Sequence, residues 1–191
     1  MLEGVLCGVR LRLSILFPAS VIVMLSLDDS GLTALCLLAA LLHEGGHAVA
    51  MLLLRDTPSC ITLGVFGMRV ERRQDSTCSY PPRCLVCLAG PLVNAACAVL
   101  LTGDAALVHG VLAAFHLLPI TSLDGGEALY ALLCTRMSEA RADRVLLVCS
   151  AVLLFPLAVL GFSLMLGGNG NFSLLLLSIY LILRMFLREG H

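Results

Sequence analysis

Long apolar runs separated by short polar connections restrict the possible folds of this chain more than any other feature. A helix needs about 20 apolar residues to cross the roughly 30 Å hydrocarbon core of a bilayer. Hydrophobic residues make up 59% of the 191 residues and charged residues only 13%, whereas about a quarter of an average soluble domain is charged. Six runs approach the length of a membrane span, at 13–27, 32–54, 84–101, 105–134, 145–166 and 172–187.

The arginines give these runs an orientation. All 12 basic residues are arginine, and with six spans every one of them falls on the same side of the membrane. The connections on the other side, at 28–31, 102–104 and 167–171, contain none. Because basic loops remain in the cytoplasm, the pattern predicts an integral multi-pass membrane protein with both termini cytoplasmic. This topology accounts for the arginines, and we expect no nucleic-acid partner.

Two segments depart from the helical pattern. Residues 59–73 alternate apolar and polar side chains around a turn at Phe66, which predicts a short membrane-associated β-hairpin, with an ordinary loop as the alternative. In the fourth run, Pro119 ends one helix and a second begins at Asp124. The sequence therefore predicts an all-α polytopic membrane protein of six transmembrane helices, with a broken fourth span and one hairpin, in a single membrane-embedded domain over 1–191.

The second run contains titratable groups that are costly at membrane depth unless something compensates them. His43, Glu44 and His47 form an H-E-x-x-H pattern in an otherwise apolar stretch. Side chains four residues apart share one face of a helix, so both imidazoles can bind the same ion. Glu44 is then placed to take a proton from metal-bound water. A structural polar cluster that joins helices is the alternative.

Two histidines do not complete a hydrolytic zinc site, which usually has three protein ligands and an open position. The candidates elsewhere are Asp104, His109, His116, Asp124 and Glu127. Asp124 is favoured because it follows the helix break, and irregular backbone at membrane depth must be surrounded by protein or by a watery cavity. Gly125 lets another segment of chain approach closely. The alternative is that Asp124 caps the helix in a capping box with Glu127, which is compatible with ligation.

Taken together, these motifs resemble those of the site-2 protease family of intramembrane zinc metalloproteases. The resemblance covers essentially the whole chain and rests on HEGGH at 43–47, AGPLVN at 89–94 and LLPITSLDGG at 117–126. The six-span layout without a PDZ insertion resembles the sporulation-type branch of endospore-forming bacteria, which matures a mother-cell sigma factor. That branch often has a C-terminal CBS domain, and we expect this protein to be a form without one.

The resemblance implies specific roles for the residues of these motifs. It makes His43, His47 and Asp124 the ligands of Zn²⁺ and Glu44 the catalytic base. The family usually has asparagine, thought to hold the substrate or the transition state, where this chain has His116, and it tends to have proline where this chain has Ser122. The supporting or substrate-binding residues implied in this way are His116, Asn94, Phe66 as a gate, Pro119 and Gly125.

The expected activity is therefore that of a zinc endopeptidase in a bacterial cell membrane. Its expected partners are a membrane-associated protein substrate, which in the sporulation branch is a sigma-factor precursor, and a membrane inhibitor or regulator. One alternative is a catalytically inactive binding homologue, which would be marked by a lost ligand or base. Another is a zinc transporter, which would need metal-binding residues along both halves of its path, whereas the non-cytoplasmic half offers chiefly His109.

Overall fold

The fold is described by a computed structural model that covers residues 2–6, 9–14, 16–54, 58–64, 67–72, 80–167 and 172–189. The chain divides into two compact units, Met1–Ala114 and Phe115–His191, with the boundary near the end of the fourth helix. The strands are β1 Leu2–Leu6, β2 Val9–Leu13, β3 Pro58–Gly64 and β4 Gly67–Arg72; the helices are α1 Leu16–Ser26, α2 Leu32–Leu53, α3 Tyr80–Leu100, α4 Gly103–His116, α5 Asp124–Cys134, α6 Glu139–Leu166 and α7 Ser173–Glu189.

Three of these helices are long and apolar enough to cross a membrane, namely α2, α3 and α6. Their 22, 21 and 28 residues correspond to about 30–40 Å at about 1.5 Å per residue. The helical class is confirmed, and the protein has the helices of an integral membrane protein. The count of six spans, the sidedness of the termini and the single-domain organisation stay predictions.

Of the predicted first span, 13–27, residues 16–26 form the helix α1, and Leu13 is the last residue of β2. Its helix, α1, has only 11 residues, about 16 Å, and the run begins inside β2. The strand was visible in the sequence, since residues 9–13 alternate strictly between apolar side chains and arginine. Arg12 of β2 donates a 3.1 Å hydrogen bond from Nε to Oε1 of Glu3, its cross-strand partner in β1.

The four strands form one sheet in the order β1-β2-β3-β4. β1 and β2 are antiparallel, β2 and β3 parallel, and β3 and β4 antiparallel with Gly64 opposite Gly67. The two strands of the expected hairpin are therefore paired, while its association with the membrane stays a prediction. Phe66, the expected gate, lies outside the described residues.

In the first unit, α2 and α3 pack closely because glycine lies at their contact. A Cβ atom at Gly46 would lie 2.8 Å from the backbone oxygen of Ala89, closer than real Cβ atoms approach a neighbour. The adjacent Gly45 is exposed and would meet nothing within 4 Å. Gly46 therefore allows the backbone of α3 to approach the face of α2 that carries the histidines.

In the second unit, residues 117–123 interrupt the helical chain, as the sequence predicted for the fourth run. Ser150 of α6, fully buried, stabilises this irregular segment. Its hydroxyl donates to the carbonyl of Leu146 at 2.8 Å and accepts from both the N–H and the hydroxyl of Thr121, each at 2.9 Å. Ile120 and Leu123, from the same segment, are buried in an apolar core with Leu154, Leu181 and Met185.

Candidate metal centre

The two histidines of α2 lie one helical turn apart, and the Nε2 atom of each ring faces the Nε2 atom of the other. Both side chains are buried, His43 at 2% and His47 at 8% exposure. Their Nε2 atoms are 3.2 Å apart. Two nitrogens bound tetrahedrally to zinc at about 2.0–2.1 Å would be about 3.3–3.4 Å apart. The spacing of the pair therefore fits two ligands of a single zinc ion.

A backbone hydrogen bond sets the tautomer of His47. Its Nδ1–H donates to the carbonyl oxygen of Val86 in α3 at 2.8 Å. A neutral imidazole has one N–H, so this bond leaves the Nε2 lone pair available to a metal. A ring N–H donated to a backbone carbonyl is the usual way in which a metal-ligating histidine is oriented.

Gly90 gives the His47 ring the space that it occupies. A Cβ atom at position 90 would lie 2.8 Å from both Cδ2 and Cε1 of His47 and would overlap Nε2. The AGPLVN motif therefore needs glycine at position 90, because a side chain there would collide with the metal-facing side of the His47 imidazole. Sequence spacing alone did not show this, because Gly90 and His47 are brought together only by the packing of α2 on α3.

His43 is held from α3 by Asn94, which is fully buried. Nδ2 of Asn94 lies 3.0 Å from Nδ1 of His43, and Oδ1 of Asn94 lies 3.0 Å from Nδ1 of His109 in α4. The structure thus brings Asn94, expected as a supporting residue, against a candidate ligand. His109 was considered only as a ligand or as part of a transport path, and its bond to Asn94 could not be found from spacing.

Glu44 follows His43 on α2 and is partly buried. Its position in the H-E-x-x-H pattern places a carboxylate beside the histidine pair on the same helix. Its role as a proton acceptor stays a prediction.

In the second unit, Asp124 is the first residue of α5 and contacts His116, the last residue of α4. Nδ1 of His116 lies 2.7 Å from Oδ2 of Asp124, and about a quarter of each side chain is exposed. The N-cap of α5 is Leu123, and it makes no side-chain capping hydrogen bond. Asp124 therefore lies inside the first turn of the helix and not at the capping position.

The two glycines after Asp124 have a local packing role. A Cβ atom at Gly125 would overlap the carbonyl oxygen of Leu117, and one at Gly126 would overlap that of Ile120. The segment that approaches Gly125 closely is thus the interrupted part of the chain itself, which also contains Pro119. This packing fixes the start of α5 and with it the backbone position of Asp124.

Comparison with solved structures identifies the fold. The chain is similar to the site-2 protease from Methanocaldococcus jannaschii, with a TM-score of 0.67 and 19% sequence identity, over 97% of this chain and 94% of that one. No protein-family profile and no curated protein matches the chain. The chain therefore has the fold of a site-2 protease, as the motifs predicted, while the sporulation-type branch stays a prediction.

Proposed function

We propose that this protein is an intramembrane zinc endopeptidase that hydrolyses a peptide bond in or near a membrane-associated segment of its substrate. The observation that carries this proposal is the pair of buried Nε2 atoms, 3.2 Å apart, on a helix that is long and apolar enough to cross a membrane. Polar groups at such depth are costly and usually functional. The fold likeness to a site-2 protease supports the same conclusion.

His43, His47 and Asp124 are the ligands in this proposal, as the sequence resemblance implies. Two imidazole nitrogens and one carboxylate oxygen match the donor sets of catalytic zinc sites, which keep one position open. A zinc ion bound there would supply Lewis acidity and a nucleophilic water at neutral pH. The carboxylate of Asp124 would offset part of the charge of the ion, and its contact with Nδ1 of His116 orients it.

Glu44 acts as the general base. It takes a proton from the attacking water and delivers it to the amine that leaves. A glutamate next to the first histidine ligand has this function in the H-E-x-x-H pattern. Because Glu44 is not a ligand in this scheme, its removal is expected to abolish hydrolysis and to leave zinc binding intact.

The substrate must present an extended peptide, since a helical peptide bond is shielded by its neighbours. Within the described part of the chain, β1 and β4 are the two edge strands of the sheet, each with a partner on one side only, and β4, Gly67–Arg72, belongs to the hairpin predicted from the sequence. An unpaired strand edge accepts an extended segment by β-addition. We therefore assign substrate pairing to β4. Among natural candidates, the sequence resemblance makes a membrane-associated sigma-factor precursor the first substrate to test.

The test combines cleavage with zinc content in purified protein. Wild type, Glu44→Gln and Glu139→Gln are co-expressed with membrane-tethered substrates and then analysed for bound zinc. Glu139 is an exposed carboxylate in the first turn of α6 and serves as the matched control. We expect about one zinc per chain in all three, with cleavage by the wild type and Glu139→Gln only.

Other outcomes separate the competing functions. Undiminished cleavage by Glu44→Gln would refute the assigned mechanism. Zinc binding by a wild type that cleaves no substrate would indicate an inactive binding protein. Zinc flux into liposomes that contain the Glu44→Gln variant would indicate a transporter.

A further inference from the structure

A hydrogen-bonded series of buried polar side chains begins at His43 and leads away from α2. It passes to Asn94 of α3 and then to His109 of α4, with 3.0 Å between the paired atoms at each step. The exposed fractions are 2%, 0% and 4%. Buried polar groups are normally matched donor to acceptor. The position of the proton on one of these three side chains therefore determines whether its neighbour must donate or accept.

The amide of Asn94 permits two directions for these bonds. In one, its Nδ2–H donates to Nδ1 of His43 and its Oδ1 accepts from Nδ1–H of His109. A half-turn of the amide group exchanges oxygen and nitrogen with almost no change of shape. In the other direction, Oδ1 accepts from Nδ1–H of His43 and Nδ2–H donates to Nδ1 of His109. The 3.0 Å distances between the paired atoms are compatible with both arrangements.

Metal ligation by His43 is compatible with only one of these directions. The Nε2 atom must offer its lone pair, so the single proton of the neutral ring lies on Nδ1. That Nδ1–H needs an acceptor, and Oδ1 of Asn94 is the acceptor atom of that side chain. The amide N–H then faces His109, whose Nδ1 must be unprotonated, with the ring proton on Nε2.

The two ligands differ in this respect. His47 donates to the backbone carbonyl of Val86, which can only accept, so its tautomer is fixed by the fold. His43 depends on a side chain that can present either an acceptor or a donor. When Oδ1 of Asn94 faces His43, the group on the far side must accept from the amide N–H, and here that group is His109.

Given the zinc site proposed above, we propose that His109 is a positioning residue: in the loaded site its Nδ1 accepts from the amide of Asn94, which keeps Oδ1 of Asn94 on the Nδ1–H of His43 and so stabilises the metal-binding tautomer. Loading the site then moves the His43 proton from Nε2 to Nδ1 and the His109 proton from Nδ1 to Nε2. Each ring keeps one proton, so these two residues release none. His109 does not touch the metal or the substrate.

The direct test observes the protons in the full-length protein. Protein with ¹⁵N-labelled histidine is examined by NMR in lipid, once loaded with zinc and once treated with a chelator. In the loaded protein we expect an unprotonated Nδ1 and a protonated Nε2 at His109, with the opposite pattern after chelation. A protonated Nδ1 at His109 in the loaded protein would overturn the inference.

Substitutions supply a second readout that does not depend on activity. Groups that orient a ligand typically change metal affinity by about 10–100-fold. We expect Asn94→Leu and His109→Leu to lower zinc affinity in a chelator competition by at least about tenfold, the lower end of that range. His109→Gln keeps an oxygen that can accept from the amide of Asn94, so it should retain most of the affinity.

These outcomes distinguish this inference from the proposed function. Equal zinc affinity in wild type, His109→Leu and His109→Gln would overturn the positioning role and leave the zinc site standing. A wild type that binds no zinc would overturn the proposed function itself. If His109→Leu does not fold, the NMR measurement on the wild type still decides the matter.

Discussion

Replacing Gly90 by alanine should displace the imidazole of His47 from the metal position. The new Cβ atom would lie 2.8 Å from two ring carbons, whereas ordinary contact begins at 3.4 Å. The ring must therefore retreat by at least about 0.6 Å, and metal–ligand distances tolerate only about 0.2 Å. We expect zinc affinity to fall at least about a hundredfold, which corresponds to about 2.8 kcal/mol at 1.4 kcal/mol per tenfold.

The assay is a chelator competition on purified protein, accompanied by thermal unfolding. Gly45→Ala is the matched control, because a Cβ atom there meets nothing within 4 Å. It should keep wild-type zinc affinity and gain up to about 1 kcal/mol of helix stability. Gly90→Ala has a similar propensity gain, so a loss of zinc with little loss of fold separates the steric effect from unfolding. Wild-type zinc affinity in Gly90→Ala would refute this account of the site.

Three further predictions concern other contacts. His116→Ala removes the contact of Nδ1 with Oδ2 of Asp124, and zinc affinity should fall by about 10–100-fold in the same competition. Ser150→Ala leaves the N–H of Thr121 without its acceptor, which should cost about 1–3 kcal/mol in chemical unfolding. Hydrogen bonds from Ser30 and Thr33 lower the pKa of Asp28. The stabilisation that ionised Asp28 gives the folded protein is therefore fully present above the ordinary pKa of about 3.9. It is lost as the pH falls toward the lowered pKa, so the melting temperatures of wild type and Asp28→Asn should converge in acid.

Each of these predictions has a control or a contrary result. His116→Asn can still donate to Asp124 and should recover part of the affinity; no difference between it and His116→Ala would refute the orienting role. Ser163→Ala removes an exposed hydroxyl that bonds only to its own helix and should be nearly neutral. A difference between wild type and Asp28→Asn that persists unchanged at pH 2 would contradict the cause assigned to the pKa.

The helices that the sequence located best are those bounded by polar residues. The helix α2, Leu32–Leu53, occupies the predicted run 32–54 because Asp28 to Gly31 precede the run and Arg55 follows it. The run at 13–27 contains a helix of only 11 residues. The strand before it was missed, although residues 9–13 alternate in the sequence and pair with β1. Periodicity was the better guide there, since strand and helix differ in period and not in mean hydropathy.

The sequence by itself determined the relative placement of the two histidines. Four-residue spacing on a helix places both imidazoles on one face wherever that helix lies, and LDGG marked where a helix restarts. Only the tertiary structure decided which atoms orient these groups. Val86 lies 39 positions from His47 and Asn94 lies 51 positions from His43, and both meet α2 because Gly46 and Gly90 let the backbones approach. His109 reaches this site only through Asn94, which is 15 positions away. Hydrogen bonds between helices depend on that approach at the scale of tenths of an ångström, which no local pattern of residues encodes.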